Sequence, residues 1–151
     1  MAQSLSNVLV HVVFSTKDRR PFLKDVQTRT ELHSYLAGVS ANLDCLVLKI
    51  GGVADHVHLL GKLSRTIAIS EWVKELKHAS SRWIKTNDPE MSAFQWQGGY
   101  GSFSIGQSQV GQVIEYIANQ EEHHRKVDFK DELRQLLQRY QVEYDERFLW
   151  D

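Results

Sequence analysis

Between residues 7 and 14 the chain alternates, with Val8, Val10, Val12 and Phe14 on one side and Asn7, Leu9, His11 and Val13 on the other. A period of two, rich in β-branched residues, predicts a strand. After the polar turn Lys17-Asp18-Arg19-Arg20-Pro21 the period lengthens. Leu32, Leu36, Val39 and Leu43 recur three or four apart, which predicts a one-sided helix from about Asp25 to Leu43. A second strand is expected from about Cys45 to Val53 and a third from Asp55 to Leu63. Gly51-Gly52 reads as a loosening of the chain before the third strand, and so short a connection favours an antiparallel pair.

From Ile69 to Lys85, Ile69, Trp72, Val73, Leu76, Trp83 and Ile84 share one helical side, whereas Lys74, Lys77, His78, Ser81, Arg82 and Lys85 share the other. Ser80 within this helix suits a hydrogen bond to the carbonyl one turn back, and its small volume allows a neighbouring element to approach. Thr86-Asn87-Asp88-Pro89 ends the helix, because proline cannot extend the ladder. A Gly- and aromatic-rich stretch, Phe94 to Ile105, leads into a fourth strand. Ser108 is the expected N-cap of a helix from about Gln109 to His124. The tail, Asp128 to about Tyr140, reads as a further helix with Phe129, Leu133, Leu136 and Leu137 as its apolar side.

Strand, helix, strand, strand, helix, strand is the order of an α+β, ferredoxin-like split βαβ fold. It predicts a four-stranded antiparallel sheet with helices on one face, its other face available, and C-terminal helices appended. The 151 residues, 42% hydrophobic and 25% charged, suit one domain with one sizeable core. We expect a single domain over 1–151, with a core at 5–126 and a helical tail at 127–151. The longest apolar runs fall far short of the roughly 18 to 20 residues that cross a bilayer. No signal-peptide pattern opens the chain, so a cytoplasmic protein without membrane partners is expected. Cys45 stands alone beside an apolar run and reads as a buried small hydrophobe. Residues 1–110 carry net +3 and residues 111–151 net −4, for −1 overall. Nucleic-acid attraction therefore requires a local basic face.

In the third strand, His56 and His58 project to the same face while Val57 and Leu59 project to the other, so both imidazoles can reach one cation. Taken alone, two histidines one residue apart are equally an exposed or structural pair, and two ligands do not complete a site. In the following helix, Gln112, Tyr116 and Gln120 form a row beside the apolar row Val110, Val113 and Ile117, so Tyr116 and Gln120 can face one point. By itself, a tyrosine at the edge of an apolar stripe is more often a core residue with its hydroxyl in water. His11, His33, His78, His123 and His124 read as surface or packing residues, with His123-His124 one turn beyond Gln120 and within reach of a site there.

Three stretches together, Asp55-His56-Val57-His58-Leu59-Leu60, Gln95-Trp96-Gln97-Gly98-Gly99-Tyr100-Gly101 and Tyr116-Ile117-Ala118-Asn119-Gln120, resemble the small HUH-type tyrosine transposases of insertion sequences and their REP-associated relatives. The basic helix with Ala79-Ser80-Ser81 and the Arg19-Arg20-Pro21 turn extend the resemblance to about Lys126. It implies that His56, His58 and Gln120 hold a divalent cation, Mg2+ or Mn2+, and that Tyr116 attacks DNA. It further implies single-stranded DNA with imperfect hairpins as substrate, a covalent 5′-phosphotyrosine intermediate with a free 3′-hydroxyl, and a homodimer.

The chemistry agrees with that role. A phenol with a pKa of about 10 is a poor nucleophile at neutral pH, and a cation would polarise the scissile phosphate. The covalent link conserves the bond energy, so no nucleotide cofactor is needed, and Gly98-Gly99-Tyr100-Gly101 matches neither the P-loop nor the dinucleotide fingerprint. Imidazole ligands suit zinc or manganese better than magnesium. Lys74, Lys77, Arg82 and Lys85 read either as a solvated helix face or as a stripe tracking a phosphate backbone, which Arg19, Arg20, Lys62 and Arg65 would extend. Trp96, Tyr100 and Phe103 are candidates to stack on bases, although core packing is expected of at least two. Two other functions fit less of the pattern: a hairpin-binding ferredoxin-like module that does not cut, and a zinc hydrolase, for which the sequence displays too few further His/Asp ligands.

Overall fold

The computed structural model describes residues 2–151. Strand β1 (Leu9–Ser15) is followed by helix α1 (Val26–Asn42), the strands β2 (Val47–Val53) and β3 (His56–Lys62), helix α2 (Ile69–Asn87) and strand β4 (Gly101–Ile105). Three C-terminal helices complete the fold: α3 (Val110–Ala118), the single turn α4 (Gln120–His123) and α5 (Phe129–Arg139). The sheet is antiparallel with order β2-β3-β1-β4, the ferredoxin-like order, and β1 lies at its centre. No helix among the described residues is long and apolar enough to cross a membrane.

Alternation in β1 and β3 sorts the core into two layers. Val10, Val12 and Phe14, with Val57 and Leu59, pack against Leu32 and Leu36 of α1 and Trp72, Val73, Leu76 and Ile84 of α2. Asp25 caps α1, its carboxylate accepting from the Thr28 amide at 2.9 Å. Cys45 is fully buried, as its apolar setting predicts. Ser80 behaves as read from sequence: its hydroxyl donates to the Leu76 carbonyl at 2.6 Å, and Trp96 approaches closely enough to donate its indole N–H to the Ser80 oxygen at 3.0 Å.

The opposite sheet face differs from expectation, because it is covered. Leu9 and Leu60 meet Ile117 of α3, and Val13 and Phe103 meet Phe129, Leu133, Leu136 and Leu137 of α5. The tail is amphipathic, and burying its apolar side needs an apolar sheet face to dock on. Gly51 and Gly52 do not loosen the chain before β3. They lie inside β2, paired with His58 and Val57, and Ala54-Asp55 make the turn. The helix expected over Gln109 to His124 starts and breaks elsewhere. A short turn at Gln107–Gln109 precedes α3, Ser108 caps nothing, and the Gln109 side chain instead accepts from the Gly106 amide at 2.9 Å. Asn119 interrupts the helix, so Gln120 opens a separate turn.

Candidate functional site

The register of β1 on β3 places Ser15 opposite His56, Val13 opposite His58 and His11 opposite Leu60. His11, His56 and His58 therefore share the face covered by the C-terminal helices, where all three are almost fully buried. Gly51 lets α3 lie directly on the sheet: a Cβ there would meet the Ile117 carbonyl oxygen at 2.5 Å. That close approach brings Tyr116 and Gln120 over the histidines, and the two still face one point, as their spacing of four residues suggests, although Asn119 breaks the helix between them. Gln120 Oε1 lies 3.0 Å from His56 Nε2.

Each imidazole is oriented from behind. The Nδ1 of His56 lies 2.7 Å from the Asp55 carboxylate, and Nδ1 of His58 lies 2.8 Å from Nε2 of His11. Both histidines thereby turn Nε2 toward a common point, the arrangement in which a metal-binding imidazole is held by an outer partner. At that point sits the carboxylate of Glu132, from α5, only 1% exposed. Its Oε1 lies 2.9 Å from His58 Nε2, 3.1 Å from His124 Nε2 and 3.3 Å from His56 Nε2. Its Oε2 accepts a short hydrogen bond from the Tyr116 hydroxyl, accepts from Gln120 Nε2 at 3.1 Å, and lies 3.3 Å from His123 Nε2.

The electrostatics follow from this crowding. Burial opposes a charge on His56, but the flanking carboxylates of Asp55 and Glu132 outweigh it and hold its pKa up, at about 9. Burial lowers His58 to about 4, only partly offset by Glu132. Burial and the neighbouring His58 lower His11 to about 3. Burial would raise Glu132, yet the surrounding imidazoles hold its carboxyl well below the usual range. Tyr116 is pushed up by burial and by the adjacent carboxylate, so its phenol is protonated at neutral pH. A cleft of about 400 Å3, bordered by His11, Gln112, Val113, Leu136 and Arg139, reaches the Tyr116 ring from solvent.

Ligand atoms of His56, His58, His124 and Glu132 all lie within 4.8 Å of one another. Ligands at about 2.1 Å from one ion stand about 3 to 4 Å apart, so this donor set fits a divalent cation. Glu132 had no assigned role in the sequence pattern. His11, His123 and His124, read there as packing or surface residues, line the centre, because α4 and α5 fold back across the sheet. Glu132 carried a signal that is visible in retrospect: it falls between Phe129 and Leu133 on the apolar side of its helix, where a carboxylate needs a partner.

The basic residues separate into free and engaged groups. Lys62, Arg65, Lys74, Arg82 and Lys85 are exposed, and Arg20, also exposed, lies over the Phe22 ring at 4.7 Å. Lys77 is not a free cation: its ammonium donates to the Gln97 carbonyl at 2.8 Å and the Gly99 carbonyl at 2.6 Å, and burial lowers its pKa to about 8. Arg19 stacks over Trp150 at 5.5 Å and donates to the Trp150 carbonyl at 3.3 Å. Of the three aromatic candidates, Trp96 and Phe103 are core residues and Tyr100 is 40% exposed.

Residues 4–120 match the family described as transposase, IS200-like. The ISDra2 transposase TnpA of Deinococcus radiodurans is 27% identical over 115 residues, covering 73% of this chain and 81% of that protein. Two solved structures share the fold. A crystal structure described as that of a transposase from Deinococcus radiodurans superposes with a TM-score of 0.62 at 23% identity, over 80% of this chain and 95% of its own. A REP-associated tyrosine transposase bound to a REP hairpin superposes with a TM-score of 0.61 at 15% identity, over 84% and 76%.

Proposed function

The chain belongs to the IS200-like transposase family of DNA-cleaving and DNA-transferring enzymes, and on that premise we propose that it cuts and rejoins single-stranded DNA at hairpin-bearing element ends through a covalent 5′-phosphotyrosine. Tyr116 is the nucleophile in this reading. His56, His58 and Gln120 hold the divalent cation, Mg2+ or Mn2+, and the imidazole-rich donor set favours Mn2+. When bound, the ion supplies Lewis-acid stabilisation of charge on the scissile phosphate. The observation that carries the proposal is the meeting of the Tyr116 hydroxyl with both imidazoles around one buried carboxylate.

The chain's own residues account for the rest. The Tyr116 oxygen attacks phosphorus and the bond to the upstream 3′ oxygen breaks; that oxygen takes up a proton from water, leaving a 3′-hydroxyl and the 5′-phosphotyrosine. The phenol proton must leave as attack proceeds, and Tyr116 O–H points at Glu132 Oε2. His11 and Asp55 keep the two imidazoles turned toward the centre. Lys74, Arg82 and Lys85, with Arg20, Lys62 and Arg65, are the phosphate contacts of this reading. Arg19 and Lys77 join them only if DNA displaces their present partners. The hairpin as substrate is supported by the hairpin-bound relative. The homodimer belongs to the proposal too, and light scattering in solution tests it. In this reading Tyr116 serves the His pair of its own chain, whose centre it reaches through Glu132.

End-labelled single-stranded hairpin DNA incubated with the protein and Mn2+ should give an SDS-resistant adduct, lost in Tyr116→Phe and on chelation, with duplex DNA reacting poorly. Binding without an adduct would mark a hairpin-binding module. The zinc hydrolase gains support from the extra donors His124 and Glu132, and hydrolysis persisting in Tyr116→Phe would mark it.

A further inference from the structure

We infer that Glu132 is itself a ligand of the divalent cation, supplied by a helix outside the segment that matches the family. This deepens the proposed metal centre and rests on it. The family match ends at residue 120, whereas Glu132 stands on α5, twelve residues further along. Phe129, Leu133, Leu136 and Leu137 dock α5 against Val13 and Phe103 of the sheet. That docking drives a carboxylate into a place where it is 1% exposed. Nothing in the packing of an amphipathic helix calls for a charge there, since its neighbours on that side, Phe129, Leu133 and Leu136, are apolar and an unmatched buried carboxylate is strongly disfavoured.

The geometry supplies the reason. Three imidazole Nε2 atoms, from His56, His58 and His124, converge on the single oxygen Oε1 at 2.9 to 3.3 Å. The outer nitrogens of His56 and His58 are occupied by Asp55 and His11, so the inner ones are the nitrogens left to bind. A carboxylate oxygen and two or three imidazole nitrogens at such separations are the ligand set of a transition-metal or zinc-like centre. The second oxygen, Oε2, is turned away from the imidazoles of His56 and His58 and holds the Tyr116 hydroxyl and the Gln120 amide. One side chain thus ties the cation to the nucleophile, and the C-terminal tail becomes part of the centre.

Calorimetric titration of the full chain, freed of metal, with MnCl2 tests this. Wild type should bind Mn2+, and His56→Ala should abolish the binding. Glu132→Gln, which keeps shape but loses the anionic oxygen, should weaken affinity by roughly tenfold or more, the loss seen even when an outer partner of a ligand is removed. Glu132→Asp, whose carboxylate is one methylene too short, should also bind more weakly than wild type. It decides the matter should Glu132→Gln fail to fold, as judged by thermal denaturation without metal. Affinity in Glu132→Gln equal to or tighter than wild type would show the carboxylate to be only a counter-ion of the histidines, overturning the inference while leaving the His-based centre intact. Wild type that binds no Mn2+ would overturn the metal centre itself.

Discussion

Gly51→Ala probes the placement of the tyrosine helix with a single methyl group. In β2, Gly51 faces α3, and the added Cβ would stand 2.5 Å from the Ile117 carbonyl oxygen and 3.1 Å from Ile117 Cγ2. The nearer neighbour is backbone, so it cannot turn aside as a flexible side chain would. Restoring ordinary contact requires α3 to lift by about 1 Å, and over-packing of this kind costs about 1–3 kcal/mol. For a domain of this size that corresponds to a melting temperature lower by about 2–4 °C per kcal/mol. The functional loss should be larger than the stability loss. Tyr116 and Gln120 flank Ile117, and a misplacement of about 1 Å near a reacting centre can cost on the order of 100-fold in rate. Thermal denaturation and the rate of adduct formation on hairpin DNA measure the two effects. Gly111→Ala, on α3 itself with nothing within 4 Å of the added Cβ, is the control: it should keep the wild-type rate and melt no lower than wild type, since Gly→Ala in an open helical site stabilises by about 0.4–1 kcal/mol. Parental rate and melting temperature in Gly51→Ala would refute the claim that α3 is seated on this glycine.

Ser80→Ala removes the acceptor of the Trp96 indole N–H while leaving that group buried; unfolding should show a loss of about 1–3 kcal/mol, and an unchanged midpoint would count against the bond. Lys85→Ala, at an exposed position on α2, should weaken single-stranded DNA binding and reduce the slope of log affinity against log salt by roughly 0.7–1; an unchanged slope would remove Lys85 from the DNA path. His33 is held by burial, and secondarily by Arg29, at about 4, below its ordinary 6.5. Between these values the unfolded chain binds the extra proton, so His33's contribution to stability is present above pH 6.5 and is lost as pH falls toward 4. Chemical denaturation across this range should show a steeper acid loss in wild type than in His33→Gln, and equal slopes would contradict the assignment.

Much of the architecture was legible along the chain because it depends on short-range geometry. Alternation in β1 and β3 and the 3.6-residue period in α1 and α2 are backbone repeats, visible wherever apolar side chains follow them. The same logic put His56 and His58 on one face and Tyr116 with Gln120 on one helical edge, and a mid-helix serine announced the Ser80–Trp96 contact. What folding alone decided are the meetings between distant segments. Gly51 and Gly52 read in sequence as a loosening of the chain, since the need for a missing Cβ at Gly51 arises only when α3 lies on β2. His11, His123 and His124 each have an ordinary local setting and Glu132 is locally only a charge on an apolar helix side; the docking of α4 and α5 on the sheet brings them to one point. Lys77 belonged to a basic stripe by periodicity, yet two carbonyls of the 97–99 loop claim it. Local pattern reports which way a side chain points relative to its own element, whereas its partner is chosen by packing across the core.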